Sequence, residues 1–238
     1  MKEKDLPIDL SRHKIYSKKA RKCVQKLLDR YYGKKEATAL WEKIQLQYCE
    51  FLEDEPALAG SKITASIYDP ILIFAYYAII PDKPAIEDIQ QDVYDCFMGS
   101  FDLLGRIFDL NRKADNYLAG KIFQKTSEIR KKEILKFPGS FRMGDFDYDK
   151  ENGIVRYSFT QCPNAEFAKR HHMEDVLPVM CNCDHLAMWK LHAVLIREGT
   201  CCSSDCCDYC IAGDKNPIAN EYELTKTANG LWVSKKVQ

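Results

Sequence analysis

The sequence predicts an α+β protein in which an N-terminal helical part packs on a C-terminal part of antiparallel strands and short helices. Two observations lead to this prediction. Apolar residues recur at helical spacing through the first part of the chain, whereas alternating apolar and polar residues with turn signals follow in the second. The change falls at Phe137-Pro138-Gly139, so we expect a helical scaffold over 1–136 and a cysteine-rich α+β part over 137–238, together one compact unit.

Helical spacing accounts for most of the N-terminal part. Two amphipathic stretches come first, with apolar positions at Leu27, Leu28 and Tyr31 and then at Leu40, Ile44, Tyr48 and Phe51. One long helix is predicted by a stripe of Ile89, Val93, Phe97, Phe101, Leu104 and Phe108. Another is predicted by the apolar residues Tyr117, Leu118, Ile122, Phe123 and Ile129.

The most apolar segment of the chain, residues 71–80, reads ILIFAYYAII. A membrane-spanning helix needs about 20 such residues, so this shorter segment predicts a buried core helix. Asp69 is expected to cap that helix, with Pro70 at its first position, because a carboxylate accepts the free amides of a helix start.

Strand signals begin after the boundary. Residues 141–148 and 154–162 flank a turn that ends in Asn-Gly, which predicts a β-hairpin. A short helix is expected to follow from Pro163, and a longer one from about 178 to 189. Two further strands are predicted at 192–197 and 207–212, joined by a loop. The tail from Lys215 predicts either a short strand or a loosely held end.

Composition narrows the classes of function. Lysine plus arginine and aspartate plus glutamate both number 35, so the zero net charge gives no indication of a nucleic-acid or membrane partner. Residues 1–14 lack the apolar core of a signal peptide, which predicts a reducing, cytoplasmic compartment in which thiols stay unpaired. The apolar helices leave room for a homodimer without requiring one.

Potential ligands and nucleophiles are concentrated between Cys162 and Cys210, which hold eight of the eleven cysteines and four of the five histidines. On a helix over 178–189, Cys181, Asp184 and His185 would share one face. A thiol beside a carboxylate and an imidazole is a plausible nucleophile and base, because the reactive thiolate needs a base or a cation to form. The alternative is that Cys181 is a small core residue.

A second class of function rests on the same cysteines. Cys181 and Cys183 form a C-x-C, and Cys207 and Cys210 form a C-x-x-C, so that the four thiolates could hold a zinc ion. The protein would then be a non-catalytic zinc- or small-molecule-binding module. Residues three apart on a strand point to opposite faces of the sheet. This geometry argues against Cys207 and Cys210 binding the same zinc ion.

Arg197 ends an apolar strand close to these thiols. Its planar guanidinium is suited to bind a carboxylate through two parallel hydrogen bonds, although an ordinary surface ion pair is the alternative. A small molecule that carries a carboxylate is therefore one of two candidate partners of Arg197.

Four motifs in this region resemble the L-2-amino-thiazoline-4-carboxylic acid hydrolase family. In chain order they are Cys162-Pro163-Asn164-Ala165-Glu166-Phe167, Cys181-Asn182-Cys183-Asp184, Arg197-x-x-Thr200 and Cys207-Asp208-Tyr209. The loop after Thr200 departs from the family pattern, because it has no glycine and carries additional cysteines.

The resemblance implies a hydrolase that opens a thiazoline ring to N-carbamoyl-L-cysteine without a cofactor. It casts Cys181 as the nucleophile, or a carboxylate-activated water in its place, with Asp184 as base and Arg197 as clamp for the substrate carboxylate. Cys207 is a second candidate catalytic thiol. The other residues expected to complete the pocket are Cys162, Glu166, Thr200 and Asp208. Which cysteine acts as nucleophile stays open at this stage.

Overall fold

The computed structural model describes residues 6–58 and 67–237. Within these ranges, the part that precedes the predicted boundary is helical. Its helices are α1 (Lys18–Glu53), α2 (Tyr68–Ile79), α3 (Ile86–Phe97), α4 (Ser100–Leu104) and α5 (Lys113–Glu133).

The part that follows mixes strands with short helices, which confirms the predicted α+β class. Its strands are β1 (Arg142–Asp149), β2 (Ile154–Gln161), β3 (Ala193–Ile196), β4 (Cys207–Gly213), β5 (Tyr222–Lys226) and β6 (Trp232–Lys236). Its α-helices are α6 (Pro163–Arg170), α7 (Pro178–Cys181) and α8 (Cys183–Lys190). The first four strands form an antiparallel sheet in the order β1-β2-β4-β3, and β5 pairs with β6 in a separate hairpin.

Helix α2 is the centre of the main core, as its apolar sequence predicts, and it packs against α1. The predicted cap is wrong, because α2 begins at Tyr68 and its N-cap is Ile67. Asp69 instead accepts hydrogen bonds from the backbone N (2.7 Å) and Oγ (2.8 Å) of Ser17, the N-cap residue of α1. Its carboxylate therefore ties the start of one helix to the start of another. No helix within the described ranges combines the length and the apolar character that a membrane crossing requires.

Two predicted helical stretches have different boundaries in the structure. The first two amphipathic stretches are the two arms of α1, which bends at Gly33 with φ 65° and ψ 162°, a conformation that favours glycine. The long helix predicted over 89–108 breaks after Phe97 into α3 and α4. The break allows Gly105 to lie directly against the backbone carbonyl of Lys190, where a Cβ atom would collide.

Helix α5 lies over the sheet, and a second hydrophobic cluster fills the space between them. The predicted helix is confirmed, but its buried face differs from the apolar stripe. Tyr117, Leu118 and Ile122 are about half exposed, whereas Ala119 and Gly120 face inward. The small residues are needed because the Tyr148 ring of β1 lies directly against Gly120.

The single helix predicted over 178–189 is interrupted at Asn182, which separates α7 from α8. The Asn182 side chain is buried and accepts a hydrogen bond from the Trp232 backbone N (2.9 Å) while it donates to the Gly230 backbone O (3.2 Å). The C-terminal tail is therefore held in place as the β5–β6 hairpin. Ser234 of β6 completes the attachment, because its N and Oγ bond the backbone O and N of Arg197.

Candidate active site

Three elements meet where Asp184, Arg197 and Tyr209 come together. Asp184 lies in the first turn of α8, Arg197 follows β3, and Tyr209 lies in the middle of β4. Tyr209 Oη donates to Asp184 Oδ2 at 3.1 Å, and Arg197 Nη1 lies 3.6 Å from the same oxygen. The Arg197 guanidinium also sits over the Tyr209 ring, 5.7 Å from its centroid.

Arg197 is held almost completely inside the protein, with 1% of its surface exposed. Its Nη2 donates to the backbone oxygens of Cys181 (3.3 Å) and Trp232 (3.1 Å). Burial by itself would lower the pKa of Arg197, but the acidic groups around it hold that pKa above its ordinary value. Arg197 is therefore a fixed buried charge that joins α7, β6 and the Asp184 carboxylate.

Asp184 remains reachable from solvent, because 34% of its side chain is exposed. The surrounding protein raises the pKa of Asp184 by desolvation, while the charge of Arg197 and the hydrogen bond from Tyr209 act in the opposite direction. A carboxylate that is oriented by two partners, open to water and made more basic by burial is suited to accept a proton from a bound water.

Burial opposes ionisation of the thiols of Cys181 and Cys162 beside this carboxylate. Burial raises the pKa of Cys181 to about 12, although the positive charge of Arg197 acts to lower it. Burial also raises the pKa of Cys162, and the nearby Cys181 and Cys207 act in the same direction. The three predicted cysteines are therefore neighbours, and the effect of burial on Cys181 outweighs that of the Arg197 charge.

Cys207 is paired with Cys201, a residue that the sequence reasoning did not select. The Cys201 backbone N donates to Cys207 Sγ at 3.0 Å, and Cys201 Sγ donates to the Phe159 carbonyl at 3.1 Å. The hydrogen bond between the two thiols, followed by burial, raises the pKa of Cys207.

Three predicted substrate-binding residues have their polar atoms directed elsewhere. Asp208 accepts the backbone N–H groups of Glu198 (3.0 Å) and Gly199 (2.5 Å), on the face of β4 opposite to Tyr209. Thr200 Oγ1 shares a hydrogen bond with Ser203 Oγ at 3.0 Å. Both residues therefore shape the loop between β3 and β4.

Glu166, the third, is half-buried on α6. Burial raises its pKa, and the charges that act on it come from Arg170 and Glu55, not from Asp184 or Arg197. A direct contact of these three residues with substrate stays a prediction.

The four cysteines of the zinc alternative are not brought together as a ligand set. Cys183 is buried and donates to the Val179 carbonyl at 3.1 Å. Cys207 and Cys210 lie three apart on β4 and so project to opposite faces. Across residues 6–58 and 67–237, no three histidine, cysteine, aspartate or glutamate side chains are grouped closely enough to hold a metal ion.

The sequence did not indicate three residues of this site, which are the aromatic residues Tyr157 and Phe159 and the arginine Arg130. The Tyr209 ring stacks on Tyr157 at a centroid distance of 4.7 Å, and Phe159 meets Tyr209 edge-on at 5.6 Å. Arg130 of α5 covers the outer side of Phe159, with its guanidinium 5.3 Å from the ring centroid. Arg130 lies in a run of basic residues near a helix end, a pattern that usually indicates a solvated face.

His185 is directed away from the predicted catalytic set. It is 1% exposed, and its ring meets Trp232 edge-on at a centroid distance of 5.9 Å. Burial lowers its pKa to about 3, so it is neutral in the folded protein at all but strongly acidic pH. Its Nε2 has no hydrogen-bond partner in the described part of the chain, which fits a structural residue better than a base.

This burial predicts a specific acid sensitivity. Between about pH 6.5 and pH 3 the unfolded chain binds a proton at His185 that the folded chain does not, so stability falls as the pH falls. We expect His185→Phe to remove about 1.4 kcal/mol per pH unit from the slope of the unfolding free energy in this window. Urea unfolding of the wild type and of His185→Phe at pH 4 to 7 measures this slope.

The exposed His172 provides the matched control. His172 has φ 53°, so His172→Asn keeps a residue type that tolerates this conformation. The unfolding free energy of His172→Asn should change with pH as steeply as that of the wild type. Equal slopes for His185→Phe and the wild type would contradict the assignment of His185 as a buried neutral residue.

Comparison with known proteins gives one match. The family model described as L-2-amino-thiazoline-4-carboxylic acid hydrolase matches residues 88–211, more than half of the chain. The matched range contains Asp184, Arg197 and Tyr209. No curated protein and no solved structure gives a significant match.

Proposed function

Because the chain belongs to the L-2-amino-thiazoline-4-carboxylic acid hydrolase family, we propose that it hydrolyses a small C–N/C–S heterocycle of the thiazoline type, with Asp184 as the base that activates water. The family resemblance read from the four sequence motifs is thereby confirmed. The observation that carries the proposal is the oriented, solvent-accessible carboxylate of Asp184, held between Arg197 and Tyr209.

The chemistry requires one water and no oxidant. Asp184 accepts a proton as the water oxygen bonds to C2, the electrophilic amidine-like carbon of the ring. The C2=N π electrons move to the ring nitrogen, which takes the remaining proton of the added water. The C2–S bond then breaks, C2 becomes a carbonyl carbon, and the ring sulfur leaves as a thiolate that takes the proton held by Asp184. With 2-amino-thiazoline-4-carboxylate as substrate, these steps produce N-carbamoyl-L-cysteine.

The geometry favours activated water over a cysteine nucleophile. Burial raises the pKa of Cys181 to about 12, which disfavours the thiolate that a cysteine nucleophile requires. Its surroundings also place no imidazole in the role of base, since His185 packs on Trp232. We therefore assign Cys181 to the wall of the site beside Asp184.

Arg197 and Tyr209 act as positioning residues. Tyr209 donates a hydrogen bond to Asp184 Oδ2 and Arg197 forms an ion pair with the same oxygen, so Oδ1 is the oxygen we assign to face a water. Arg197 also anchors the backbone on both sides of the site through Cys181 and Trp232. This support keeps the carboxylate in one orientation, which general base catalysis requires.

The first test is turnover of 2-amino-thiazoline-4-carboxylate, followed by release of free thiol and by mass detection of the carbamoyl product. We expect Cys181→Ala to keep kcat within about 10-fold of the wild type, because it removes a neutral wall residue. Cys210→Ala, on the opposite face of β4 from Tyr209, is the matched control.

Intact-mass measurement after acid quench separates the two routes. The water route predicts no covalent adduct during turnover, whereas a cysteine nucleophile would accumulate an enzyme heavier by one substrate. An adduct that disappears in Cys181→Ala, together with loss of turnover, would contradict Asp184-activated water. Absence of turnover on this substrate and on ring analogues would overturn the proposed activity itself.

A further inference from the structure

A second guanidinium, that of the partly buried Arg130, lies against the same group of aromatic rings. Arg130 lies near the C-terminal end of α5, and its guanidinium is 4.4 Å from the Phe141 ring centroid and 5.3 Å from that of Phe159. Its Nη1 is buried and has no hydrogen-bond partner within residues 6–58 and 67–237. A buried donor without a partner is costly, so its persistence calls for an explanation.

A continuous set of contacts connects this guanidinium to the proposed base. Arg130 stacks on Phe159, Phe159 meets Tyr209 edge-on, and the Tyr209 hydroxyl binds the Asp184 carboxylate. The charge of Arg130 also contributes to lowering the pKa of Asp184. Arg130 and Asp184 therefore belong to the same aromatic-walled region.

Electrostatics indicate that the protein does not fully compensate the charge of Arg130. Burial lowers the pKa of Arg130, and the acidic groups that act on it, Tyr157, Tyr209, Glu133 and Cys162, do not offset this effect. Glu133, the one carboxylate among them, lies one helical turn further along α5, and its charge does not offset the effect of burial on Arg130. Arg130 therefore adds a second, incompletely compensated positive charge to the region of Arg197 and Asp184, which suits an anionic ligand.

Arg197, the clamp expected from the sequence, is less suited to bind that anion. Its Nη2 donates to two backbone carbonyls and its Nη1 faces Asp184. Only 1% of its surface is exposed, so a ligand would have to displace these partners. Arg130 is only partly buried, its Nη1 has no hydrogen-bond partner within residues 6–58 and 67–237, and two aromatic rings orient its planar group.

We propose that Arg130 binds the carboxylate of the substrate and so sets the preference of the site for heterocyclic acids. The aromatic walls formed by Phe141 and Phe159 hold the guanidinium plane and exclude water from the ion pair, which strengthens a charge-assisted hydrogen bond. Arg197 then orients the base while Arg130 orients the substrate. As a statement about substrate the inference rests on the proposed function, but carboxylate binding is measurable without turnover.

The test compares two unreactive ring probes, thiazolidine-4-carboxylate and thiazolidine, by calorimetry. We expect the wild type to bind the acid at least 10-fold more tightly than the ring without the carboxylate. Arg130→Gln should weaken binding of the acid about 10- to 100-fold and leave the weak binding of thiazolidine unchanged. Arg130→Lys should recover part of the affinity, because it restores the charge but not the planar fork.

Arg156→Gln is the matched control, because Arg156 is exposed on the face of β2 opposite to Phe159. Thermal melts of each variant verify that it is folded. In turnover, Arg130→Gln should raise KM for 2-amino-thiazoline-4-carboxylate with little change in kcat, and should leave the carboxylate-free 2-amino-thiazoline unaffected.

The outcomes separate the two proposals. If folded Arg130→Gln binds the acid as tightly as the wild type, or if the wild type does not distinguish the two probes, the Arg130 inference is overturned. If the acid binds through Arg130 but no heterocycle is hydrolysed, the proposed hydrolysis fails and the carboxylate site stands. Hydrolysis with an unchanged KM in Arg130→Gln supports the activity and overturns the clamp.

Discussion

Replacing Asp184 by asparagine is expected to reduce kcat for ring hydrolysis about 100- to 10,000-fold, the range that a positioned general base contributes. Asparagine keeps the shape of the side chain and can still accept from Tyr209, so the fold should survive. It cannot accept a proton from water at any accessible pH. Steady-state turnover of Asp184→Asn, with circular dichroism to verify folding, measures the loss.

Asp145→Asn is the matched control, because Asp145 is exposed on β1 and the substitution is chemically identical. It should have wild-type turnover. Turnover of Asp184→Asn within a few-fold of the wild type would remove Asp184 from the chemical step and return attention to the thiols.

The pH profile provides a second measure of the same group. Burial raises the pKa of Asp184 above its ordinary value of 3.8, and only the ionised form accepts a proton. Activity should therefore be full at neutral pH and should fall on acidification at a higher pH than an exposed aspartate would give. An acid limb at or below pH 3.8 in kcat/KM would contradict the buried environment of this carboxylate.

The largest effect on stability is expected from Arg197→Ala. The substitution leaves Asp184 without its buried partner, removes two hydrogen bonds to backbone carbonyls and opens a cavity at a position that is 1% exposed. Because Asp184 is about one-third exposed, the cost comes mainly from the cavity and from the two backbone carbonyls left without a donor, about 3–5 kcal/mol together. Urea unfolding at pH 7 should show a loss of this size.

Arg156→Ala is the control, because the exposed Arg156 should cost less than about 0.5 kcal/mol. Arg197→Lys keeps the charge and part of the volume, so its stability should fall between the alanine variant and the wild type. This order keeps the test decisive if Arg197→Ala does not fold. Equal stability of Arg197→Lys and the wild type would contradict a role for the guanidinium fork.

The local elements of the fold were largely predictable, and the exceptions have identifiable causes. The hairpin of β1 and β2 follows from alternation and an Asn-Gly turn, and α2 follows from its uninterrupted apolar sequence. The breaks at Phe97 and Asn182 did not show in the periodicity. They depend on contacts with α8 and with the C-terminal hairpin, which are distant in sequence.

The candidate site was also predictable only in part from the sequence. The motif residues Asp184, Arg197 and Cys181 could be selected from residue type and spacing, and the structure places them side by side. Their separate roles could not be selected, because roles depend on burial. The same burial that keeps the Cys181 thiol neutral turns Arg197 into a buried anchor.

Residue type, spacing and periodicity were enough for the fold class and the family, and they led to the prediction that the chemistry lies in the C-terminal half. These features are encoded over short stretches, where backbone geometry and hydrophobic pattern act locally. The approach of Arg130 to Tyr209, and the attachment of the β5–β6 hairpin to Arg197, are consequences of tertiary packing. They arise from the strand order β1-β2-β4-β3 and from the way α5 lies across that sheet, which no local pattern records.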